Sequence, residues 1–185
     1  QSLACGGARP FCGKGYVTKF ISDRLLLFGA TGDLSRRMLL PSLCALDAEG
    51  LLDPRIEIIG TARSEMDDQA FRNFAREALE QFLPANRRGG MATFLNRLSF
   101  QSLDANDITG FDALARKVGT PQEGLSIFVS TAPSLFEPTI RGLQNSGLAG
   151  EKVRIGLEKP LGVDLASSKV INDAVASALP EERIY

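Results

Sequence analysis

The residues best suited to chemistry form a short turn near the start of the chain, with the sequence GATGDLS. Its members are Gly29, Ala30, Thr31, Gly32, Asp33, Leu34 and Ser35. Free backbone N–H groups at the start of a helix attract a pyrophosphate, and Gly32 lets the backbone approach it closely. All seven are therefore candidate cofactor-binding residues. The generic G-x-G-x-x-G spacing falls on Ala30, Gly32 and Ser35, so an ordinary strand-to-helix turn capped by Asp33 stays an alternative.

A charged candidate follows the second predicted strand, in the sequence GTARS (60–64). An NAD site carries Asp or Glu near this point, where a carboxylate accepts from the ribose 2′-hydroxyl. This chain has Arg63 instead, and a guanidinium offers a planar fork to a 2′-phosphate. Arg63 therefore favours NADP over NAD. The alternative is a solvated surface charge.

Three further groups stand at the ends of later predicted strands. Asp104 and Ala105 follow the third strand, and the small residues 130–132 follow the fourth. In a doubly wound sheet these two loops flank the adenosine and the nicotinamide side of a dinucleotide. Asp104 could instead begin an Asx turn. Glu158 and Lys159 follow the fifth strand, where Lys159 could attract a sugar phosphate or merely belong to an exposed pair.

The sequence contains no histidine. This removes Ser-His-Asp and Cys-His catalysis and the usual zinc ligand sets. It also removes the commonest general base near neutral pH. We therefore expect no catalytic residue and no metal site in this chain.

The elements that would position these residues alternate between strands and helices. Predicted strands are 25–28, 56–59, 98–103, 125–129 and 153–157, and predicted helices are 33–50, 67–82, 107–118, 134–144 and 164–178. Pro41 should kink or break the first helix. Such alternation indicates βαβ units, so the fold class is α/β with a Rossmann-like, doubly wound parallel sheet. A ligand would lie at the carboxyl ends of the strands.

Composition narrows the class of protein. The 185 residues suggest one domain, which we place at residues 23–185, after a leader (1–22) that is disordered or foreign. The net charge of −1 does not favour nucleic-acid or membrane-surface partners, and no apolar stretch of about 18 residues predicts a membrane span. Three cysteines, an odd count, fit a reducing cytoplasm better than an oxidising compartment.

Together these motifs resemble the glucose-6-phosphate dehydrogenase family. The matching segments, in the family's order, are GATGDLSRRMLLPSL (29–43), IIGTARS (58–64), LDAND (103–107), STAPSLFEP (130–138) and EKPLG (158–162). The resemblance implies a coenzyme domain that serves NADP-linked oxidation of glucose 6-phosphate to the 6-phosphogluconolactone. That reaction is the entry step of the oxidative pentose phosphate pathway.

The resemblance also implies individual roles. The turn 29–35 would hold the pyrophosphate, Arg63 the 2′-phosphate, and Asp104 and Ala105 would lie near the adenosine. Lys159 would touch both substrate and coenzyme. The complete enzyme is expected to be a homo-oligomer.

The chain departs from the family at its end. The family continues a segment like Arg183-Ile184-Tyr185 with Arg-Ile-Asp-His-Tyr-Leu-Gly-Lys. It also has a catalytic histidine and a β+α substrate domain that this sequence lacks. We therefore expect NADP binding at most and negligible dehydrogenase activity. An alternative is a catalytically dead nucleotide-binding module from a truncated gene. A short-chain reductase is disfavoured, because neither Tyr16 nor Tyr185 has a lysine four residues later.

Overall fold

Five parallel strands form one sheet in the computed structural model, which describes residues 22–158 and 165–185. The strands are β1 (Arg24–Phe28), β2 (Glu57–Ala62), β3 (Leu98–Ser102), β4 (Leu125–Val129) and β5 (Val153–Leu157). Their order across the sheet is β3-β2-β1-β4-β5. This order reverses at β1, which makes the sheet doubly wound and places a crevice beyond the end of β1. The predicted fold class is confirmed.

The described ranges contain six α-helices, five between the strands and one after β5. They are α1 (Leu40–Ala48), α2 (Asp68–Phe82), α3 (Met91–Asn96), α4 (Gly110–Val118), α5 (Phe136–Asn145) and α6 (Leu165–Ala178). A π-helical turn, Ser35–Leu39, leads into α1, and such turns are frequent near functional sites. Among these helices, none combines the length and apolar character that crossing a membrane requires.

The central strand β1 is buried on both faces, which explains its uninterrupted apolar sequence. Leu26 and Phe28 join the core under α4, α5 and α6. Leu27 joins the opposite core, beside Leu40 of α1 and Phe71 of α2. Fully burying each such side chain contributes roughly 1.5–3 kcal/mol. The two cores therefore fix β1, and with it the turn that follows.

Several elements begin or end away from their predicted bounds. In the predicted helix 33–50, the π-helical turn ends at Leu39 and α1 begins at Leu40. The change of helix type thus falls one residue before Pro41, which occupies the first turn of α1. The helix expected from residue 107 begins only at Gly110, because Asp107 Oδ1 accepts from the Thr109 N–H at 3.0 Å and from its hydroxyl. Aspartate competes in this way with helical hydrogen bonds. The expected leader lies outside the described residues, except for Ser22.

Side chains of α2 cover part of the sheet edge at β3. Arg72 Nε donates to the Leu98 carbonyl at 2.9 Å, and Asp68 Oδ1 accepts from the Phe100 N–H at 2.8 Å. Lys117 Nζ lies 2.7 Å from the same Asp68 oxygen. The Leu98 carbonyl and the Phe100 N–H flank Ser99. A strand added at this edge would form its hydrogen bonds with these two groups. The contacts therefore block an edge that would otherwise invite association.

Candidate functional site

A cleft of about 350 Å³ opens at the carboxyl end of the sheet. The loops after β1, β2, β3 and β4 contribute to it. Its lining residues are Phe28, Gly29, Thr31, Gly32, Thr61, Ala62, Arg63, Ser64, Leu103, Ala105, Thr131, Ala132 and Leu135. Its position is the crevice at the topological switch point, where open parallel sheets bind their ligands.

The turn after β1 is held firmly by its backbone. The N–H groups of Gly29 and Ala30 donate to the Thr61 carbonyl at 2.9 and 3.1 Å, and Gly32 N–H donates to the Gly29 carbonyl at 2.9 Å. Gly29 has φ +79°, a conformation that glycine adopts without strain. Within the described chain, the N–H groups of Thr31, Asp33 and Leu34 have no backbone acceptor. They are donors that an anion at this helix start would meet.

Ala30 and Ser35 serve packing beneath the turn rather than the cleft surface. Both are fully buried. A Cβ built at Gly60 would lie 2.8 Å from Ala30 Cβ and 2.5 Å from Phe71 Cζ. The methyl group of Ala30 thus occupies space that is free because Gly60 has no side chain. This explains why alanine fits at the first glycine position of the G-x-G-x-x-G pattern.

Arg63 lines the cleft directly after β2. Its side chain makes no ion pair or hydrogen bond with any residue of the described ranges. Beside it, Thr31 Oγ1 and Ser64 Oγ lie 3.3 Å apart and join the turn to the end of β2. Arg63 is exposed. A guanidinium that lines the same cleft as two hydroxyls is a donor set suited to a phosphate monoester.

Asp104 and Ala105 separate in the structure. Ala105 is buried and lines the cleft. Asp104 is exposed, and its Oδ1 accepts from Asn106 N at 3.0 Å and Asn106 Nδ2 at 3.1 Å. This is the Asx turn that the sequence offered as an alternative. Asp104 therefore shapes the loop that presents Ala105.

Asp33 and Leu34 line a neighbouring cavity of about 420 Å³ instead of the cleft. Asp33 pairs with Arg37, with 3.7 Å between Oδ2 and Nη1, and the Arg37 guanidinium lies 5.7 Å from the Phe82 ring centre. The side chains of Asp33 and Leu34 therefore lie away from the cleft, and only their backbone N–H groups could bind a phosphate at the turn. Lys159 lies outside the described residues.

Residues 130–132 were predicted only as a loop on the nicotinamide side, and the structure places Thr131 and Ala132 of that loop at the cleft. The sequence prediction missed the lining residues Phe28, Thr61, Ala62, Ser64, Leu103 and Leu135. Phe28, Thr61 and Leu103 stand at a predicted strand end or within two residues of one, and that position was an available signal. Thr61 carried a weaker signal, since a threonine inside a strand is ordinary. Its place at the cleft follows from its register beside Phe28.

Comparisons with known proteins agree on one family. The family described as "Glucose-6-phosphate dehydrogenase, NAD binding domain" matches residues 26–185. A glucose-6-phosphate 1-dehydrogenase of Zymomonas mobilis is 51% identical over 163 residues, which are 87% of this chain and 34% of that protein. The one from Dickeya dadantii is 43% identical over 162 residues, 87% of this chain and 33% of that protein.

A solved structure supports the same assignment. Glucose-6-phosphate 1-dehydrogenase from Mycobacterium avium superposes with a TM-score of 0.76 and 32% identity, over 88% of this chain and 35% of that one. The chain spans about one third of the length of these relatives. By its sequence and its fold, the chain belongs to the glucose-6-phosphate dehydrogenase family, whose NAD-binding domain it matches over residues 26–185.

Proposed function

We propose that this chain is the NADP-binding domain of a glucose-6-phosphate dehydrogenase. The observation that carries the proposal is that Arg63, which is exposed and has no partner among the described residues, lines the same cleft as Thr31 and Ser64. A 2′-phosphate distinguishes NADP from NAD, and a guanidinium is its natural partner. Family membership supports the same coenzyme class.

Each predicted residue keeps a role in this proposal. The N–H groups of Thr31, Asp33 and Leu34 hold the pyrophosphate, and Gly32 keeps a side chain out of its way. Gly29 shapes the turn by letting it pack against the Ser130 backbone. Ala30 and Ser35 allow the close packing of turn and sheet. Ala105 contacts the adenosine, with Asp104 holding its loop, and Lys159 meets coenzyme and substrate.

In the complete enzyme, the substrate would be glucose 6-phosphate, and NADP held by this chain would supply the hydride acceptor. The residues of this chain bind and orient the coenzyme. Proton removal needs a base, and this chain has no histidine to supply one. We place that base, the substrate domain and the homo-oligomer contacts in the two thirds of the relatives that this chain does not cover. A reducing cytoplasm suits its buried free thiol, Cys44.

Coenzyme preference tests the proposal. Replacing Arg63 with alanine should cost on the order of 1.5–3 kcal/mol of NADP binding free energy, because a charge-assisted phosphate contact is lost. NAD affinity should stay unchanged. Calorimetric titration of both coenzymes measures the difference.

Two variants sharpen that experiment. Arg76→Ala removes an exposed arginine whose only described contact is Asn73, so it should bind both coenzymes like the parent chain. Arg63→Lys keeps the charge without the fork and should lie between parent and alanine. Equal parent affinities for NADP and NAD would refute the role of Arg63.

The 185-residue chain alone should not oxidise glucose 6-phosphate, because no histidine is available as a base. We expect no NADPH formation above the buffer background, followed by fluorescence, even where calorimetry shows bound NADP. Turnover that scales with the concentration of this chain would refute the prediction.

A further inference from the structure

Two threonine hydroxyls at the cleft have no hydrogen-bond partner. Thr61 is 1% exposed, and both Thr61 Oγ1 and Thr131 Oγ1 are buried without a partner. Both residues line the cleft. Most buried polar side-chain atoms have a partner, so each exception calls for an explanation.

The other hydroxyls around the cleft differ in this respect. Ser130 Oγ donates to the Phe28 carbonyl at 2.7 Å, and Thr31 and Ser64 pair with each other. The Thr61 carbonyl is also satisfied, by the N–H groups of Gly29 and Ala30. The local backbone is thus fixed. Ser35 Oγ is also buried without a partner, but Ser35 lies beneath the turn and does not line the cleft. Among the lining residues, the buried hydroxyls without a partner are those of Thr61 and Thr131.

Their positions fall on opposite sides of the turn. Thr61 lies in β2, two residues before Arg63, on the side where a doubly wound fold holds the adenosine. Thr131 follows β4, on the side of the second mononucleotide. A dinucleotide across the crevice would pass both residues.

We propose that the Thr61 hydroxyl hydrogen-bonds the adenosine half of the coenzyme and the Thr131 hydroxyl its nicotinamide half. This rests on the proposed NADP binding. Both oxygens are enclosed, so each contact requires rotation about χ1 to another staggered position. A rotation of about 120° moves the hydroxyl to the staggered position that the methyl group or the Cβ hydrogen held before, and each contact requires the position that faces the cleft.

Isosteric variants and a half-coenzyme separate the two contacts. Affinities for NADP and for adenosine 2′,5′-bisphosphate are measured by calorimetry on the full chain. Thr61→Val should weaken both ligands about three- to tenfold, the range for one net hydrogen bond. Thr131→Val should weaken NADP by a similar factor and leave the half-coenzyme unchanged.

A matched control exists in α5. Thr139 is also fully buried, and its Oγ1 also lacks a partner, but it does not line the cleft. Thr139→Val should therefore bind both ligands like the parent chain. Melting temperatures should not fall in the valine variants, because a methyl group replaces an unpartnered hydroxyl of similar shape.

The outcomes are distinguishable. If the parent chain binds neither ligand, the proposed function fails and the inference fails with it. If the parent binds both and Thr61→Val is unchanged, the inference is overturned while the proposed function stands. If Thr61→Val binds weakly and also melts lower, Thr61→Ser decides. Serine should restore affinity, and a serine variant as weak as valine overturns the contact.

Discussion

Replacing Gly29 with alanine should lower the free energy of unfolding by about 3 kcal/mol and NADP affinity at least about tenfold. Gly29 has φ +79°, which costs an alanine roughly 1–2 kcal/mol. A Cβ there would also lie 2.6 Å from the Ser130 carbonyl oxygen. That oxygen belongs to the backbone after β4, so the ends of β1 and β4 must separate. The turn that meets the coenzyme would move with them.

Gly50→Ala is the matched control for this experiment. Gly50 has φ +71°, but a Cβ there would meet nothing within 4 Å, and the residue follows α1 away from the cleft. Gly50→Ala should lose only the conformational cost of a positive φ, roughly 1–2 kcal/mol of the free energy of unfolding, with NADP affinity unchanged. Urea unfolding and calorimetry measure both effects. Equal losses in the two variants would mean that the contact with Ser130 carries no energy.

Periodicity and apolar runs were sufficient to predict the sheet. The run 25–28 is continuous because both faces of β1 are buried, and the alternation with helices allowed little besides a doubly wound sheet. Parallel pairing then followed from known constraints on βαβ units. The order of the strands across the sheet was not predicted and comes from the structure. The cleft's general place at the strand ends followed as well.

Individual side chains were harder to predict, because their direction depends on local competition. Asp33 was placed among the phosphate-binding residues, yet its carboxylate turns to Arg37. The sequence left two roles open for Asp104, a place near the adenosine or the start of an Asx turn, and its carboxylate forms the Asx turn. The burial of Thr61, whose hydroxyl has no partner, depends on chain segments distant in sequence, which no local sequence pattern records. The direction and the partners of a side chain depend on which other chain segments pack close to it.

Asp23 illustrates a long-range contact of this kind. It stands just before β1, and its carboxylate accepts three backbone N–H bonds from the loop before β4. Gln122 N donates to Oδ2 at 3.0 Å, and Glu123 N and Gly124 N donate to Oδ1 at 3.1 Å each. The side chain is 9% exposed. One carboxylate therefore joins the starts of the two neighbouring strands.

Asp23→Ala should lower the free energy of unfolding by about 3 kcal/mol near neutral pH, because three N–H groups lose a charged acceptor and the Gly124 N–H is buried. Asp23→Asn keeps one acceptor oxygen without the charge and should lose about half as much. Asp107→Ala is the control: its carboxylate also accepts a backbone N–H, but water can replace it at an exposed site, so the loss should stay below about 1 kcal/mol.

The effect of Asp23 should also depend on pH. Burial of Asp23 opposes its ionisation, but the N–H groups of residues 122–124 outweigh burial and lower its pKa below the ordinary value. A lowered folded-state pKa stabilises the fold fully above the unfolded-state pKa of about 4. That stabilisation disappears as the pH falls through the lower folded-state pKa. The difference between parent and Asp23→Asn should thus be constant from about pH 7 to 5 and shrink below about pH 4. Urea unfolding across this range measures it, and a difference that grows on acidification would contradict the ionised contact.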